Sequence, residues 1–228
     1  MSSLKPLVLY AHVQGPNPPK VAAVLSELNL PYEMKVVDYA NLKSEPYLSV
    51  NPNGRVPALE DPNTGITTWE SGANIQYLID TYDKEGKLHY DTAKEKYEQL
   101  SWAYFQVSGQ GPYFGQAAWF KMYHPEPVPS AVDRYRGEIR RVLGVLESHF
   151  NKTGREYLIG GKITYVDFMF TTWNKLTPWV MDEEFNFEKE FPKTFAWQAK
   201  VEGRESYQKV WAALAAAKEE GREHIKMF

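Results

Sequence analysis

The chain of 228 residues contains no cysteine. Disulfides, thiolate metal sites and a cysteine nucleophile are excluded together. If thiol chemistry happens here, the sulfur belongs to a ligand. Histidine is scarce as well. His12, His89, His124, His149 and His224 show no close metal-ligand spacing, so no metal site is expected. There is no basic excess: the formal net charge is -3, which does not suit a nucleic-acid footprint. No apolar run is long enough to cross a bilayer. Met1 to Pro6 lacks the charged head and apolar core of a secretory signal. The expectation is a cytoplasmic protein that does not engage a membrane.

What the chain does have is aromatic side chains, 14% of the total, most of them in the last two-thirds. An aromatic core or an apolar ligand cleft would each account for them. Leu7 to Tyr10 reads as a buried strand and Lys20 to Leu28 as a helix with Val21, Val24, Leu25 and Leu28 at helical spacing. Tyr32 to Val37 alternates like a strand. The β-α-β order predicts that the two strands are parallel. Val56 to Leu59 and Thr67 to Trp69 read as strands joined by the DPNTG turn, and Ser71 to Tyr82 as a helix.

Strand signals then fade. Helices are expected over 92–108, with Gly109-Gln110-Gly111-Pro112 interrupting, and over 130–150, 164–176 and 205–220, with Pro192 opening another. The fold class expected is α/β plus all-α: a first domain over 1–85, a linker over 86–92 and an all-helical domain over 93–228.

Three places could carry chemistry. Asn51 to Asp61 reads NPNGRVPALED. A cis bond at Val56-Pro57 would turn the chain and offer the Val56 backbone to an extended peptide; a trans bond stays open at this stage. Glu70-Ser71 precedes an apolar helical repeat. Ser71 there is either a plain helix cap or, with the free amides of the first turn, an anion site. Glu70 beside it would suit the ammonium of an amino-acid head group. Asn17 precedes Pro18-Pro19 and either caps the following helix or donates its amide to a thiolate, which the helix terminus would also favour. Thr164 and Asp167 fit a capping box and read as structural.

In this order and spacing, these segments resemble the glutathione transferases, and more closely the fungal Ure2p-like (nu-type) class. The closer match is carried by Gly15-Pro16-Asn17, Lys20-Val21, Val24 to Leu28, Asn51 to Leu59, Trp69-Glu70-Ser71, Ser108 to Pro112, Gly115-Gln116-Ala117, Arg134-Tyr135 and Arg140 to Glu147. The resemblance covers essentially the whole chain. It implies a thioredoxin-like N-terminal domain that holds glutathione as cosubstrate, an all-helical C-terminal domain, and a homodimer. Asn17 would take the thiol-activating position, ahead of Tyr10 and His12. Pro57 would be the family's cis proline. Val56 would pair with the cysteinyl unit, and Glu70 and Ser71 would hold the γ-glutamyl end. Some class members place a histidine shortly before the Asn-Pro-Asn segment. Leu42 or Lys43 stands there in this chain. Lys43, with Arg55, is the expected contact for the remainder of the tripeptide. Tyr104, Gln110 and Tyr113 would line the second-substrate cleft, and Arg134 would meet a second anionic partner.

The reading is therefore an enzyme that activates the glutathione thiol for attack on a small electrophile, a peroxide or a disulfide. The alternative is a glutathione-binding regulator on the same fold.

Overall fold

The computed structural model describes residues 4–227, which form two compact units. The first unit is built on a five-stranded sheet in the order β4-β3-β1-β2-β5. β1 (Leu7–Ala11) and β2 (Tyr32–Val36) run parallel, as expected, around α1 (Asn17–Glu27). A short helix, α2 (Tyr47–Val50), follows, which the residue pattern does not predict. β3 (Ala58–Asp61) and β4 (Ile66–Trp69) form the expected antiparallel hairpin, and α3 (Ser71–Tyr82) closes the segment.

Strand alternation explains the layering. Leu7, Leu9 and Ala11 of β1 are fully buried, as are Val21, Val24 and Leu25 of α1 and Ile75 and Leu78 of α3. Tyr10 packs instead with Val37, Val50 and Val56 against Leu42, Tyr47 and Ala58, the satellite cluster under α2.

The second unit spans 89–202 and is helical throughout. α4 (Ala93–Phe105) is capped by Thr92, whose hydroxyl accepts the Glu95 N–H. Gly109-Gln110-Gly111-Pro112 does not interrupt the helix. A π-turn over Gln106–Gln110 carries it into α5 (Gly111–Ala118), and a second π-turn over Trp119–Tyr123 extends it. Pro112 lacks an N–H and would crowd the carbonyl one turn back; the wider turn accommodates both effects. α6 (Pro129–Thr153) follows and ends on Gly154 at φ 64°. α7 (Tyr165–Asn174) is buried along its whole length. Short α8 (Thr177–Val180) and α9 (Phe187–Glu190) lead to α10 (Pro192–Glu202).

The boundary differs from expectation at the C-terminal end. From Gly203 on, the chain belongs to the first unit rather than to the helical one. α11 (Glu205–Glu220) packs on α1, and β5 (His224–Met227) pairs antiparallel with β2. Glu27, almost buried at the end of α1, accepts from Arg204 Nε at 3.1 Å and from Ser206 Oγ at 2.5 Å. Partners this far apart in sequence leave no local signal. Among the described residues no helix is long and apolar enough to cross a membrane.

Candidate functional site

The site assembles in the first unit from two helix starts and one turn. α1 begins three residues earlier than its apolar spacing suggests. Asn17 is its first helical residue, Pro16 stands at the cap, and no side chain caps the helix. Of the two readings of Asn17, the N-cap is thereby set aside. Prolines at 18 and 19 fit the first turn, where no N–H is needed. α3 has the expected bounds, with only its cap one residue earlier. Glu70 stands at the cap position at φ 69°, ψ 120°, and Ser71 is the first helical residue instead of the cap. Positive φ at a residue with a β-carbon costs roughly 1–3 kcal/mol and marks functional sites. The two starts meet: Ser71 Oγ donates to Asn17 Oδ1 at 3.3 Å. The free amides and dipoles of both helices therefore converge on one corner.

The NPNGRVP turn is built by its own polar side chains. Asn51, 1% exposed, donates from Nδ2 to the Arg55 carbonyl at 2.6 Å and accepts the Asn53 N–H at 2.9 Å. Tyr47 donates its hydroxyl to the same Arg55 carbonyl at 2.7 Å. Gly54 sits at φ 57°, and a β-carbon there would lie 2.5 Å from the Leu42 carbonyl oxygen. No other residue fits without displacing backbone. The turn delivers a cis Val56–Pro57 bond. β3 starts two residues later than expected, so Val56 lies outside the sheet ladder. Asn53 ties the turn to the α3 start, donating from Nδ2 to Glu70 Oε1 at 3.3 Å. Lys43 is exposed and donates to the Asn53 carbonyl at 2.6 Å, and Arg55 is exposed.

Other polar groups near the start of the chain are engaged elsewhere. Tyr10 donates to Glu60 Oε2 at 2.9 Å; burial and that carboxylate push its phenol well above the usual range. His12 accepts the Gln14 N–H at 3.1 Å on Nδ1, and its ring lies 4.1 Å from that of Tyr39. Burial lowers its pKa. Asn17, by contrast, is hydrogen-bonded to the α3 start.

Sequence reasoning passed over Lys20 as a site residue. It lies one turn along α1 from Asn17 and is 1% exposed. Burial brings its pKa down to about 7, with the Glu70 carboxylate opposing. The signal was present in the sequence: a single charge inside an otherwise uncharged buried run, Pro18 to Leu25.

The expected second-substrate residues all lie in the helical unit. Gln110 is fully buried, donates to the Phe170 carbonyl at 3.1 Å and to Asn174 Oδ1 at 2.8 Å, and accepts from Gln106 at 3.1 Å. All of these bonds are internal to the helical packing, so the expectation that it faces a ligand is corrected. Tyr104 is 67% exposed. Tyr113 packs against Tyr135 and lies under the Arg141 guanidinium. Arg134 is exposed and donates to Glu138 at 2.5 Å, sharing that carboxylate with Arg141. Among the described residues no cluster of side chains could hold a metal ion.

Residues 5–80 match the N-terminal domain profile of glutathione S-transferase, and residues 112–205 match the C-terminal one. The chain belongs to the glutathione S-transferase family. It is 44% identical to glutathione S-transferase 2 of Schizosaccharomyces pombe, with 93% of this chain and 97% of that protein aligned. The crystal structure of glutathione transferase URE2P6 from Phanerochaete chrysosporium, in complex with oxidized glutathione, superposes with a TM-score of 0.88 at 51% identity, covering 93% of this chain and 97% of that one. Ure2p in complex with glutathione gives 0.86 at 32% identity, covering 92% and 95%. These neighbours are Ure2p-type transferases, and the fold is theirs: a thioredoxin-like sheet and a helical unit.

Proposed function

We propose that this chain is a glutathione transferase whose thiol chemistry is run by the corner where α1 and α3 begin. The observation that carries the reading is the Ser71–Asn17 hydrogen bond, which joins an amide to two positive helix ends beside the cis Val56–Pro57 turn. Neighbouring Ure2p-type proteins crystallised with reduced or oxidized glutathione support the same ligand here.

Each part of the tripeptide has a chemical counterpart. The γ-glutamyl carboxylate suits the first-turn amides of α3 with Ser71, and its ammonium suits Glu70. The cysteinyl backbone pairs with Val56 as an added strand. The terminal carboxylate falls to Lys43 or Arg55. With its oxygen accepting from Ser71, the Asn17 amide offers its N–H end to the sulfur. A neutral donor and a helix terminus each favour the thiolate over the thiol. That thiolate attacks an electrophilic carbon to form a thioether, or a peroxide or mixed disulfide. Since the chain carries no cysteine, disulfide exchange would run between ligands. Tyr104, Tyr113 and Arg134 remain the proposed contacts for the second substrate.

Large apolar side chains left exposed in both units, Ile66 and Trp69 in one and Tyr97 in the other, support a homodimer. The cytosol, where glutathione keeps thiols reduced, is the proposed setting.

Turnover of one sample on a chloronitrobenzene, cumene hydroperoxide and hydroxyethyl disulfide tests the reading. Glutathione-dependent turnover of any of them supports it and ranks the reactions. Tight glutathione binding without turnover of any would establish the regulator that the Ure2p-type relatives also allow.

A further inference from the structure

The first unit holds a cavity of about 620 Å³ that the mechanism above does not use. Pockets that take a drug-sized molecule run from roughly 300 to 1,000 Å³, so this one has room for such a guest. None of Asn17, Lys43, Arg55, Val56, Glu70 or Ser71 lines it. Its walls come from the end of β2, the segment that carries α2 and the last turn of α11. Backbone bonds hold those walls together. The Val36 N–H donates to the Glu223 carbonyl at 2.8 Å, and the Val37 N–H to the Ala11 carbonyl at 2.8 Å. α11 is closed by Gly221 at φ 64°, and the Arg222 N–H turns back to the Ala217 carbonyl at 3.0 Å. That is a Schellman cap, which fixes the chain as it leaves the helix.

Tyr10 and Tyr47 form an aromatic wall, their ring centroids 5.5 Å apart. Both hydroxyls are committed, that of Tyr10 to Glu60 and that of Tyr47 to the Arg55 carbonyl. What the two rings offer a guest is carbon and π-face. Val13, Val36, Val37 and Val50 add apolar surface. The wall already draws one cation: the Lys35 ammonium sits 5.4 Å from the centre of the Tyr10 ring.

The charged groups of the lining are Asp38, Glu45, Glu223, Lys218 and Arg222. Three of the five are engaged. Arg222 is paired with Glu220, and Glu45 accepts the N–H and the hydroxyl of Ser49. Lys218 stands in the last turn of α11, where a cation offsets the negative end of the helix dipole. Asp38 and Glu223 are left. Both are exposed, and neither carboxylate has an ion pair or a hydrogen bond among the described residues.

We propose that this cavity is a second ligand site, for an organic monocation: a protonated amine on a flat apolar body. The body packs against Tyr10, Tyr47 and the valines, and the ammonium faces Asp38 and Glu223. An anion on the same body would meet two uncompensated carboxylates and the negative end of α11, so the site selects by charge.

The test uses tryptamine, a cation at neutral pH, and indole-3-propionate, an anion with the same ring system and a side chain of similar length. Saturation-transfer NMR and calorimetry follow each against the full chain, with excess S-methylglutathione present. The result expected is saturable binding of tryptamine, with indole-3-propionate at least about tenfold weaker. The double variant Asp38→Asn, Glu223→Gln lowers tryptamine affinity about tenfold or more. Asn41→Arg, which adds a cation at an exposed lining position, gives a loss of similar size. No saturable binding of tryptamine overturns the proposal. Equal or tighter binding of indole-3-propionate overturns it too, as does a tryptamine affinity that either folded variant leaves unchanged. If the double variant does not fold, Asn41→Arg and the comparison of the two ligands decide. Each of these outcomes leaves the glutathione reading untouched, because the cavity uses none of that reading's residues.

Discussion

Asp167 offers the sharpest test of how the helical unit is held together. It sits in the first turn of α7 with no solvent exposure. Its Oδ1 accepts the Leu158 N–H at 3.0 Å and the Trp197 indole N–H at 2.8 Å; its Oδ2 accepts the Thr164 N–H at 2.7 Å and the Thr164 hydroxyl at 3.0 Å. An exposed cap of this type contributes about 1 kcal/mol. In Asp167→Ala the hydroxyl can turn to another acceptor, but three N–H donors lose theirs inside the core. Each costs roughly 1–3 kcal/mol when left unpaired. Relief of the carboxylate's own burial, which raises its pKa, offsets part of that. The net expectation is a loss of about 3–5 kcal/mol, a large share of the stability of an ordinary domain. Asp167→Asn keeps one oxygen for Leu158 and Trp197 but sets an NH2 against the Thr164 N–H, so about half that loss is expected. Urea unfolding followed by tryptophan fluorescence and far-ultraviolet circular dichroism measures both. A loss near 1 kcal/mol for Ala, or equal losses for Ala and Asn, refutes the reasoning. The pH sign is fixed too. Because the folded carboxyl has the higher pKa, its contribution is full below the unfolded value of about 3.9 and declines as pH rises toward the folded one. The gap between wild type and Asp167→Ala narrows in that direction.

Asn17→Ala should lower turnover about tenfold or more while glutathione affinity, measured by calorimetry, changes little; comparable losses in both move the thiol-activating role elsewhere. Ser71→Ala should weaken glutathione binding by roughly 1 kcal/mol with a near-normal unfolding midpoint; unchanged affinity removes Ser71 from the head-group site. Gly54→Ala should cost about 2 kcal/mol and weaken binding together, because the new methyl group meets the Leu42 carbonyl at positive φ; wild-type values for both would show that the turn is not rigid. Lys20 has a folded pKa of about 7 against roughly 10.4 unfolded, so the unfolded chain binds more protons in between. Stability should therefore rise with pH through that window, and Lys20→Met should flatten the slope in urea titrations.

Much of this was legible because it is local. Tyr32 to Val36, the DPNTG hairpin, Glu205 to Glu220 and the Thr164–Asp167 box lie where spacing and turn residues put them. Helix α3 spans the expected residues and only its cap differs, whereas α1 starts three residues before the apolar spacing suggests. The contact that joins them, Ser71 to Asn17, spans 54 residues in sequence, which no local pattern encodes. Gln110 is assigned to the cleft by the resemblance alone; here it spends its hydrogen bonds on α7, a long-range pairing that no local pattern encodes. β5 was invisible because four residues alternating near a chain end resemble any loop until β2 pairs with them.

That last strand also governs how the molecule meets its neighbours in a crowded solution. Without it, β2 would present a bare row of amides and carbonyls, the kind of border on which foreign chains can polymerise. With it, the border passes to a strand of only four residues whose exposed positions include His224 and Lys226. Brevity and charge make that strand a poor template, so β5 doubles as a guard against clumping.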